Sequence, residues 1–179
     1  MNVTELSLPG CKLIDLPHFS DERGRFVKTF HQSELAKCGI DFQHKEEFYS
    51  WSERYVLRGM HFQTPPFAHQ KLVHCAAGQV LDLLVDLRKS STTFGQSCTV
   101  ELSAATPQLL YLPVGIAHGF LALAAQTLML YQTDSLYAPE HDQGIHWRSL
   151  SLQLPVTEPV VSIRDQSFPA LEHFESPFL

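Results

Sequence analysis

A chain of 179 residues with a formal net charge of −6 is long enough for one well-packed domain and short for two. Its composition, 44% hydrophobic and 18% charged, is that of an ordinary globular protein and excludes a mainly disordered one. Because the acidic balance argues against nucleic acid as the main partner, we predict a single domain over residues 1–179 that binds no nucleic acid.

The N-terminal segment, MNVTELSLPGCKLIDL, lacks the basic start and the apolar core of a signal peptide. No apolar run approaches the roughly 20 residues needed to span a bilayer, so we predict no membrane segment. The cysteines are widely spread and form no CxxC pair, which favours free thiols in a reducing compartment: Cys11, Cys38, Cys75 and Cys98. Together these features predict a cytoplasmic protein.

Eleven prolines and nine glycines divide the chain into short segments, which favours an all-β domain. One short helix is predicted over residues 33–38, with Ser33 as its N-cap and Gly39 after its end. The strongest strand is predicted over residues 80–88, where Asp82 and Asp86 lie on the face opposite four apolar residues. Further strands are predicted over residues 100–102, 109–112, 119–122 and 127–133. Many short strands around one core predict a jelly-roll β-sandwich or barrel with few short helices.

The segment 56–73, VLRGMHFQTPPFAHQKLV, concentrates cationic side chains in an acidic chain. Arg58, His61 and Lys71 flank a double proline, which fixes extended backbone and predicts a stiff loop. Cationic groups against an acidic background predict a local anion pocket, and a histidine there can move protons near neutral pH. The alternative is that these residues are surface charges on a loop.

Tyr131 and Asp165 are candidates for proton transfer outside that segment. Tyr131 lies in the predicted strand 127–133, where it could donate a proton into a barrel mouth. The alternative is a core aromatic residue with a hydrogen-bonded hydroxyl. Asp165, in the sequence VSIRDQ, could orient His61 and raise its basicity, since a base is commonly held by a third group. The alternative is a solvated aspartate in a turn.

His118 lies between glycines in LPVGIAHGF, where it could bind an anion or a metal. Metal-binding cupin barrels usually carry an HxH pair followed by a carboxylate, whereas Gln63 stands two residues after His61. His69, His74 and His118 could still assemble a site in space, but nothing in their spacing demands one. We therefore predict no metal site and no cofactor.

Six segments that cover most of the chain carry a family resemblance: residues 19–30 (FSDERGRFVKTF), 56–66 (VLRGMHFQTPP), 71–95 (KLVHCAAGQVLDLLVDLRKSSTTFG), 111–120 (YLPVGIAHGF), 131–147 (YQTDSLYAPEHDQGIHW) and 162–166 (SIRDQ). In this order they resemble the dTDP-4-dehydrorhamnose 3,5-epimerases, enzymes of deoxysugar biosynthesis. The resemblance implies a metal-free cupin jelly roll that binds a nucleotide sugar. It also implies a homodimer with an N-terminal strand exchanged between subunits.

The resemblance further implies a role for each candidate residue. His61 would be the base, held by Asp165, and Tyr131 would be the acid on the opposite face of the sugar. Lys71 would stabilise the enolate. The remaining residues would contact the substrate: Arg58 and His118 the sugar or pyrophosphate, Arg23 and Phe26 the nucleotide across the dimer, and Tyr137 the base by stacking.

Five positions near the substrate depart from the pattern of the family. Lys28 stands where a glutamate is usual near the nucleotide, and Glu46 and Phe48 stand at the two ends of a usual Gln-x-Asn sequence. Arg164 replaces a common lysine, which keeps the charge but changes the geometry, and Asp142 stands where glutamate is usual. The residues of the chemical core are kept, whereas contacts to nucleotide and sugar vary.

The sequence therefore predicts an epimerase acting on dTDP-4-dehydro-6-deoxy-D-glucose and giving dTDP-4-dehydro-L-rhamnose. The hydrogens at C3 and C5 of a 4-keto sugar are acidified by the carbonyl, so no redox cofactor is required. The nearest alternative is an epimerase that inverts only C3 or C5, or one that uses a CDP or GDP sugar. The pattern is also compatible with a metal-dependent cupin enzyme or with a non-catalytic jelly roll that binds sugar.

Overall fold

The computed structural model describes residues 2–179, and short β-strands make up most of the regular structure. The first seven strands are β1 (Val3–Glu5), β2 (Lys12–Asp15), β3 (His18–Asp21), β4 (Gly24–Val27), β5 (Glu46–Ser52), β6 (Val56–Gln63) and β7 (Lys71–Ala77). The next seven are β8 (Gln79–Asp86), β9 (Ser97–Ser103), β10 (Gln108–Leu112), β11 (Ile116–Ala122), β12 (Thr127–Thr133), β13 (Asp142–Gly144) and β14 (Val160–Val161). Two short α-helices, α1 (Gln32–Lys37) and α2 (Ile163–Gln166), and two 3₁₀ turns, Trp147–Ser149 and Leu171–His173, complete the elements.

Two six-stranded sheets pack face to face. The first has the strand order β1-β2-β10-β7-β12-β5, and the second has the order β13-β6-β11-β8-β9 with β14 joined to β6. The strands β3 and β4 form a separate hairpin. Antiparallel sheets that bury one face against each other form a β-sandwich, so the predicted all-β jelly roll is confirmed. No helix in residues 2–179 is long and apolar enough to cross a membrane.

The central core fills the space between the sheets, with Val73 and Met129 from the first sheet against Leu84 and Phe120 from the second. A second core covers the outer face of the second sheet, where C-terminal segments pack on it. The strand β8 is therefore buried on both faces. Asp82 and Asp86 lie opposite its apolar row, as the alternation predicted, but both are fully buried.

The predicted strand 127–133 matches β12 at both ends. The predicted strand 80–88 corresponds to β8, which begins and ends slightly earlier. It ends at Asp86 because the carboxylate of that residue accepts hydrogen bonds from Arg88, Ser91 and Thr93, which turn the chain into a loop. The helix α1 is also confirmed, but Ser33 does not cap it. The N-cap is His31, and the Ser33 hydroxyl lies 3.1 Å from the His31 ring instead.

An irregular pairing of β6 with β11 shapes the site. His118 pairs with His61 and Phe120 with Arg58, so three steps along β6 face two steps along β11. Residues three apart on a regular strand point to opposite faces, but this β-bulge turns Arg58 and His61 towards the same interior. The bulge contains Gly59, whose φ of +139° favours glycine and where a Cβ would lie 2.5 Å from the Cα of Gly119.

Candidate active site

A cavity of about 300 Å³ opens between the two sheets, and ten of the fourteen predicted site residues line it. These ten are Glu46, Phe48, Arg58, His61, Lys71, His118, Tyr131, Tyr137, Asp142 and Arg164. Asp165 lies behind His61, and Arg23, Phe26 and Lys28 lie elsewhere. The cavity draws side chains from both sheets, so groups can act on a bound molecule from two sides.

His61 projects from β6 and is held by the carboxylate of Asp165. The His61 Nε2 lies 2.9 Å from Asp165 Oδ1, and Asp165 Oδ2 accepts the Gly59 N–H at 3.1 Å. Burial raises the pKa of the Asp165 carboxyl, but its hydrogen bonds with His61, Gly59 and Ser162 outweigh this and lower the pKa below its usual value. The carboxylate thus stays ionised and, as a charged hydrogen-bond partner, holds the ring of His61.

The short helix α2 presents Asp165 to this pair. Ser162 caps the helix, and its hydroxyl accepts the backbone N–H of Asp165 at 3.0 Å. The neighbouring strand β14 pairs in parallel with β6, the strand that carries His61. The structure thus brings together two residues whose association the sequence left open.

Tyr131 projects into the cavity from β12, in the sheet opposite His61. Its side chain is buried, and the hydroxyl lies 3.2 Å from the Ser50 Oγ. Burial is the main cause that raises the pKa of Tyr131 above its ordinary value, although the hydrogen bond with Ser50 opposes it. The phenol therefore remains protonated through the neutral range and can act as a proton donor.

Lys71 and Arg58 supply positive charge to the cavity. Lys71 Nζ donates to the backbone oxygen of His61 at 3.1 Å, and burial lowers the pKa of Lys71 to about 8 although Asp142 and Asp82 oppose the shift. Arg58 donates to the Ser52 hydroxyl and the Trp51 carbonyl. Within the described residues neither cation makes an ion pair, so both are free to bind an anionic ligand.

His118 is bound to a buried aspartate at the base of the cavity. Its Nε2 lies 2.5 Å from Asp82 Oδ1, and burial raises the pKa of the Asp82 carboxyl although His118 and Lys71 oppose this. The contact fixes the ring of His118 next to Tyr131, with 6.0 Å between the ring centroids. This arrangement holds His118 by one nitrogen and orients it for contact with a ligand.

Polar contacts hold the residues of the cavity wall and of its entrance in place. Glu46 accepts the backbone N–H of Tyr137 at 2.6 Å and so holds the exposed Tyr137 at the entrance. Arg164 pairs with Asp142 at 2.7 Å and stacks over the ring of Phe168, which packs edge-on against His61. Phe48, from β5, lies against Tyr131.

The hairpin of β3 and β4 carries the predicted nucleotide residues that do not line the cavity. Arg23 pairs with Asp21 at the tip of the hairpin, and Phe26 is 61% exposed. Lys28 follows the hairpin and lines a separate groove with Phe19. None of the three reaches His61 within the described part of one chain.

The structure adds three residues that were not among the predicted substrate or catalytic residues. Ser50 binds the hydroxyl of Tyr131, and its position two residues after Phe48 on one strand face was the available signal. His69 lines the cavity, where burial and the charge of Lys71 lower its pKa to about 3 and keep it neutral. Phe168 contacts His61 because Gly144 leaves room, since a Cβ there would lie 2.3 Å from its ring.

The histidines that could have formed a metal site are separated by their contacts. His74 binds the Gln108 carbonyl, His118 binds Asp82, and His69 lies beside Gln63. In residues 2–179 no group of three or more His, Cys, Asp or Glu side chains is arranged to hold a metal ion.

The jelly roll, with a histidine of one sheet held by an aspartate of helix α2 and a tyrosine in the facing sheet, defines a cupin-type barrel whose cavity holds groups suited to proton transfer. A family model described as dTDP-4-dehydrorhamnose 3,5-epimerase matches residues 5–173. A relative of that name from Shigella flexneri is 37% identical over 180 residues, covering 97% of this chain and 99% of the relative. The chain belongs to the dTDP-4-dehydrorhamnose 3,5-epimerase family and is thus a carbohydrate epimerase, an isomerase.

Solved structures of related proteins have the same fold. A dTDP-6-deoxy-D-glucose-3,5-epimerase from Legionella pneumophila, in complex with dTDP-4-keto-L-rhamnose, is 32% identical with a TM-score of 0.92, covering 97% of this chain and 94% of that one. A 3'-monoepimerase from Streptomyces bikiniensis, in complex with dTDP-quinovose, is 31% identical with a TM-score of 0.88, covering 94% of this chain and 87% of that one. Both double and single epimerases therefore share this architecture.

Proposed function

We propose that this protein inverts C3 and C5 of dTDP-4-dehydro-6-deoxy-D-glucose and gives dTDP-4-dehydro-L-rhamnose. The observation that carries the proposal is the pairing of His61, in one sheet, with Asp165 of helix α2, and the position of Tyr131 in the facing sheet of the same cavity. The family of the chain and the names of its relatives support the same substrate.

His61 acts as the base in this reaction. It removes the proton from the carbon next to the ketone, and the electron pair of that C–H bond moves towards the carbonyl to form an enolate. The ionised Asp165 stabilises the imidazolium that results and keeps the ring turned towards the sugar. A positioned base of this kind contributes about 10²–10⁴-fold to the rate.

Lys71 stabilises the enolate oxygen. Its ammonium group is buried beside His61 and makes no ion pair in the described chain, so its charge acts at close range. One donor at a developing oxyanion typically contributes about 10²–10³-fold. Arg58 and His118, on the neighbouring strands β6 and β11, contact the sugar or the pyrophosphate.

Tyr131 completes each inversion from the other side. It gives its phenolic proton to the carbon and becomes a phenolate, while His61 holds the proton that was removed. Both groups must exchange with solvent before the second carbon reacts, since one inversion leaves His61 with an extra proton and Tyr131 without one.

Residues around the entrance bind the nucleotide. Tyr137 stacks on the base, held by its contact with Glu46, and Arg164 and Asp142 form the wall next to His61. Arg23, Phe26 and Lys28 reach the nucleotide from the partner subunit of a homodimer with N-terminal strand exchange. The exposure of Phe26 and its distance in the fold from the cavity of its own chain support a role across an interface.

A single epimerase is the second candidate, because a 3'-monoepimerase is among the similar structures. Incubation of the 4-keto sugar in D₂O separates the two candidates. Deuterium at both C3 and C5 supports the double inversion, and deuterium at one carbon supports the single epimerase. The same assay with the dTDP, CDP and GDP sugars gives the nucleotide preference, and no exchange with any of them overturns both candidates. We also propose that the enzyme works in the cytoplasm, with which its four free cysteines are compatible.

A further inference from the structure

Phe48 lies flat against the ring of Tyr131. The two residues are directly paired across β5 and β12, their ring centroids are 4.9 Å apart, and the rings are inclined by 14°. Such a stacked pair is worth more than the apolar area it buries, because the rings also attract each other. Phe48 therefore packs on Tyr131 and also lines the cavity.

The two partners differ sharply in exposure. Phe48 is 45% exposed, whereas Tyr131 is 7% exposed. Phe48 thus faces solvent on one side and covers Tyr131 on the other. Water that approaches the phenol from the edge strand β5 meets this ring first.

The contacts of Tyr131 with Ser50 and His118 do not lie flat on its ring. Ser50, two residues further along the same face of β5, bonds only to the hydroxyl, and His118 touches the ring edge-on from the side of the second sheet. Since neither contact lies flat on the ring, the stack with Phe48 limits its tilt in addition to the core residues that pack around Tyr131.

We propose that Phe48 is a positioning residue for Tyr131, which keeps the phenol in line with the sugar face opposite His61 and shields it from water. This inference rests on the proposed function, in which Tyr131 delivers the proton that completes an inversion. It assigns to Phe48 an effect on the outcome of the reaction rather than on the binding of the substrate.

The consequence concerns the fate of the enolate. An enolate that receives its proton from Tyr131 becomes an inverted product, whereas one that takes a proton back from His61 returns to the starting configuration. In D₂O the second path leaves deuterium in recovered substrate, since the proton on His61 exchanges with solvent. A loosely held Tyr131 shifts the balance towards return.

The test is carried out in D₂O. It measures the amount of deuterium-labelled substrate that is recovered, divided by the amount of epimerised product that is formed. For Phe48→Ala we expect this ratio to rise about threefold to tenfold, the range that corresponds to the loss of one stacked aromatic pair. The KM should stay within about twofold of the wild-type value, because the substrate is held by other groups. Phe48→Tyr keeps a flat ring and should show the wild-type ratio. Tyr131→Phe lacks the phenolic proton, so it should exchange deuterium into the recovered substrate without forming inverted product.

Two variants control for folding and for general loss of an aromatic side chain. Phe94→Ala removes a phenylalanine that is 47% exposed and lies outside the cavity, and it should leave the ratio unchanged. Phe48→Leu keeps an apolar side chain on β5 but removes the stack, so it should raise the ratio even if Phe48→Ala does not fold. An unchanged ratio in folded Phe48→Ala or Phe48→Leu overturns the inference, and so does a raised KM with an unchanged ratio. If the wild-type enzyme shows no exchange at either carbon, the proposed function itself has failed.

Discussion

His61 Nε2 lies 2.9 Å from Asp165 Oδ1, although the two residues are 104 positions apart in the chain. The second oxygen of the same carboxylate accepts the N–H of Gly59, which belongs to the bulge next to His61. One buried carboxylate therefore fixes both the ring that we propose as the base and the backbone that carries it.

Replacing Asp165 with asparagine tests this coupling. Asp165→Asn keeps the size of the side chain but removes the charge that stabilises a protonated His61, so we expect kcat to fall by about 10²-fold or more. Steady-state kinetics with the dTDP sugar measures the effect. Asp41→Asn, at an exposed position outside the cavity, is the matched control and should leave kcat unchanged. A wild-type kcat in Asp165→Asn would show that His61 does not need this carboxylate.

Lys71 should impose an upper limit on the working pH. In the proposed reaction its ammonium form stabilises the enolate, and because its pKa is lowered to about 8, that form is lost as the pH rises through this value. We therefore expect kcat/KM, which reports the free enzyme, to fall above about pH 8.

Two substitutions of Lys71 check the assignment. In Lys71→Arg the guanidinium stays charged, so the fall in kcat/KM should move to higher pH although the geometry is less favourable. Lys71→Met should lower kcat by about 10²–10³-fold at every pH. If kcat/KM fell at the same alkaline pH in the wild type and in Lys71→Arg, a group other than Lys71 would be the cause of the fall.

Asp86 should stabilise the fold without serving the reaction. Burial raises the pKa of its carboxyl, but hydrogen bonds from Arg88, Ser91 and Thr93 outweigh this and lower the pKa to about 2. A lowered pKa gives stability that is present above the unfolded value of about 4 and is lost as the pH falls towards 2. Asp86→Asn should thus lower the free energy of unfolding by about 2 kcal/mol at pH 7.

Urea unfolding at several pH values measures this difference, which should shrink below about pH 4. The kcat of folded Asp86→Asn should match wild type, because Asp86 does not line the cavity. A difference in unfolding free energy that stays constant from pH 7 to 3 would rule out the charge of Asp86 as its cause.

A mixture of two inactive variants tests the proposed sharing of the site between subunits. In a heterodimer of Arg23→Ala and His61→Ala chains, one site carries both defects and the other carries neither if Arg23 acts across the interface. Co-expression should then recover about a quarter of the wild-type activity, since half of the dimers are mixed and each has one intact site. Recovery of no activity would mean that Arg23 serves the cavity of its own chain.

The sequence predicted the local elements well where the pattern was strong. The alternation of residues 127–133 predicted β12 at its true ends, but it left open whether Tyr131 lies in the core or at a barrel mouth. The predicted N-cap of α1 was wrong because the Ser33 hydroxyl is hydrogen-bonded to the His31 ring instead of the helix backbone. Sequence preference does not decide between these two contacts.

The site could be predicted only in part. Regular alternation would turn Arg58 and His61 to opposite faces, and only the bulge against β11 brings them together. The contacts of Asp165 with His61 and of Asp82 with His118 join residues that are far apart in the chain, so no local pattern reveals them. The role of Phe48 was hidden for the same reason, since its partner Tyr131 lies on a strand far along the chain.

The central claim is that one base, His61, exchanges the hydrogens at both carbons of the keto sugar. The most direct measurement is the NMR spectrum of the sugar after incubation in D₂O with the wild-type enzyme and with folded His61→Ala. We predict deuterium at C3 and C5 with the wild-type enzyme and loss of exchange at both carbons with the variant. Exchange that persists at either carbon with His61→Ala would show that another group removes that proton and would contradict the mechanism.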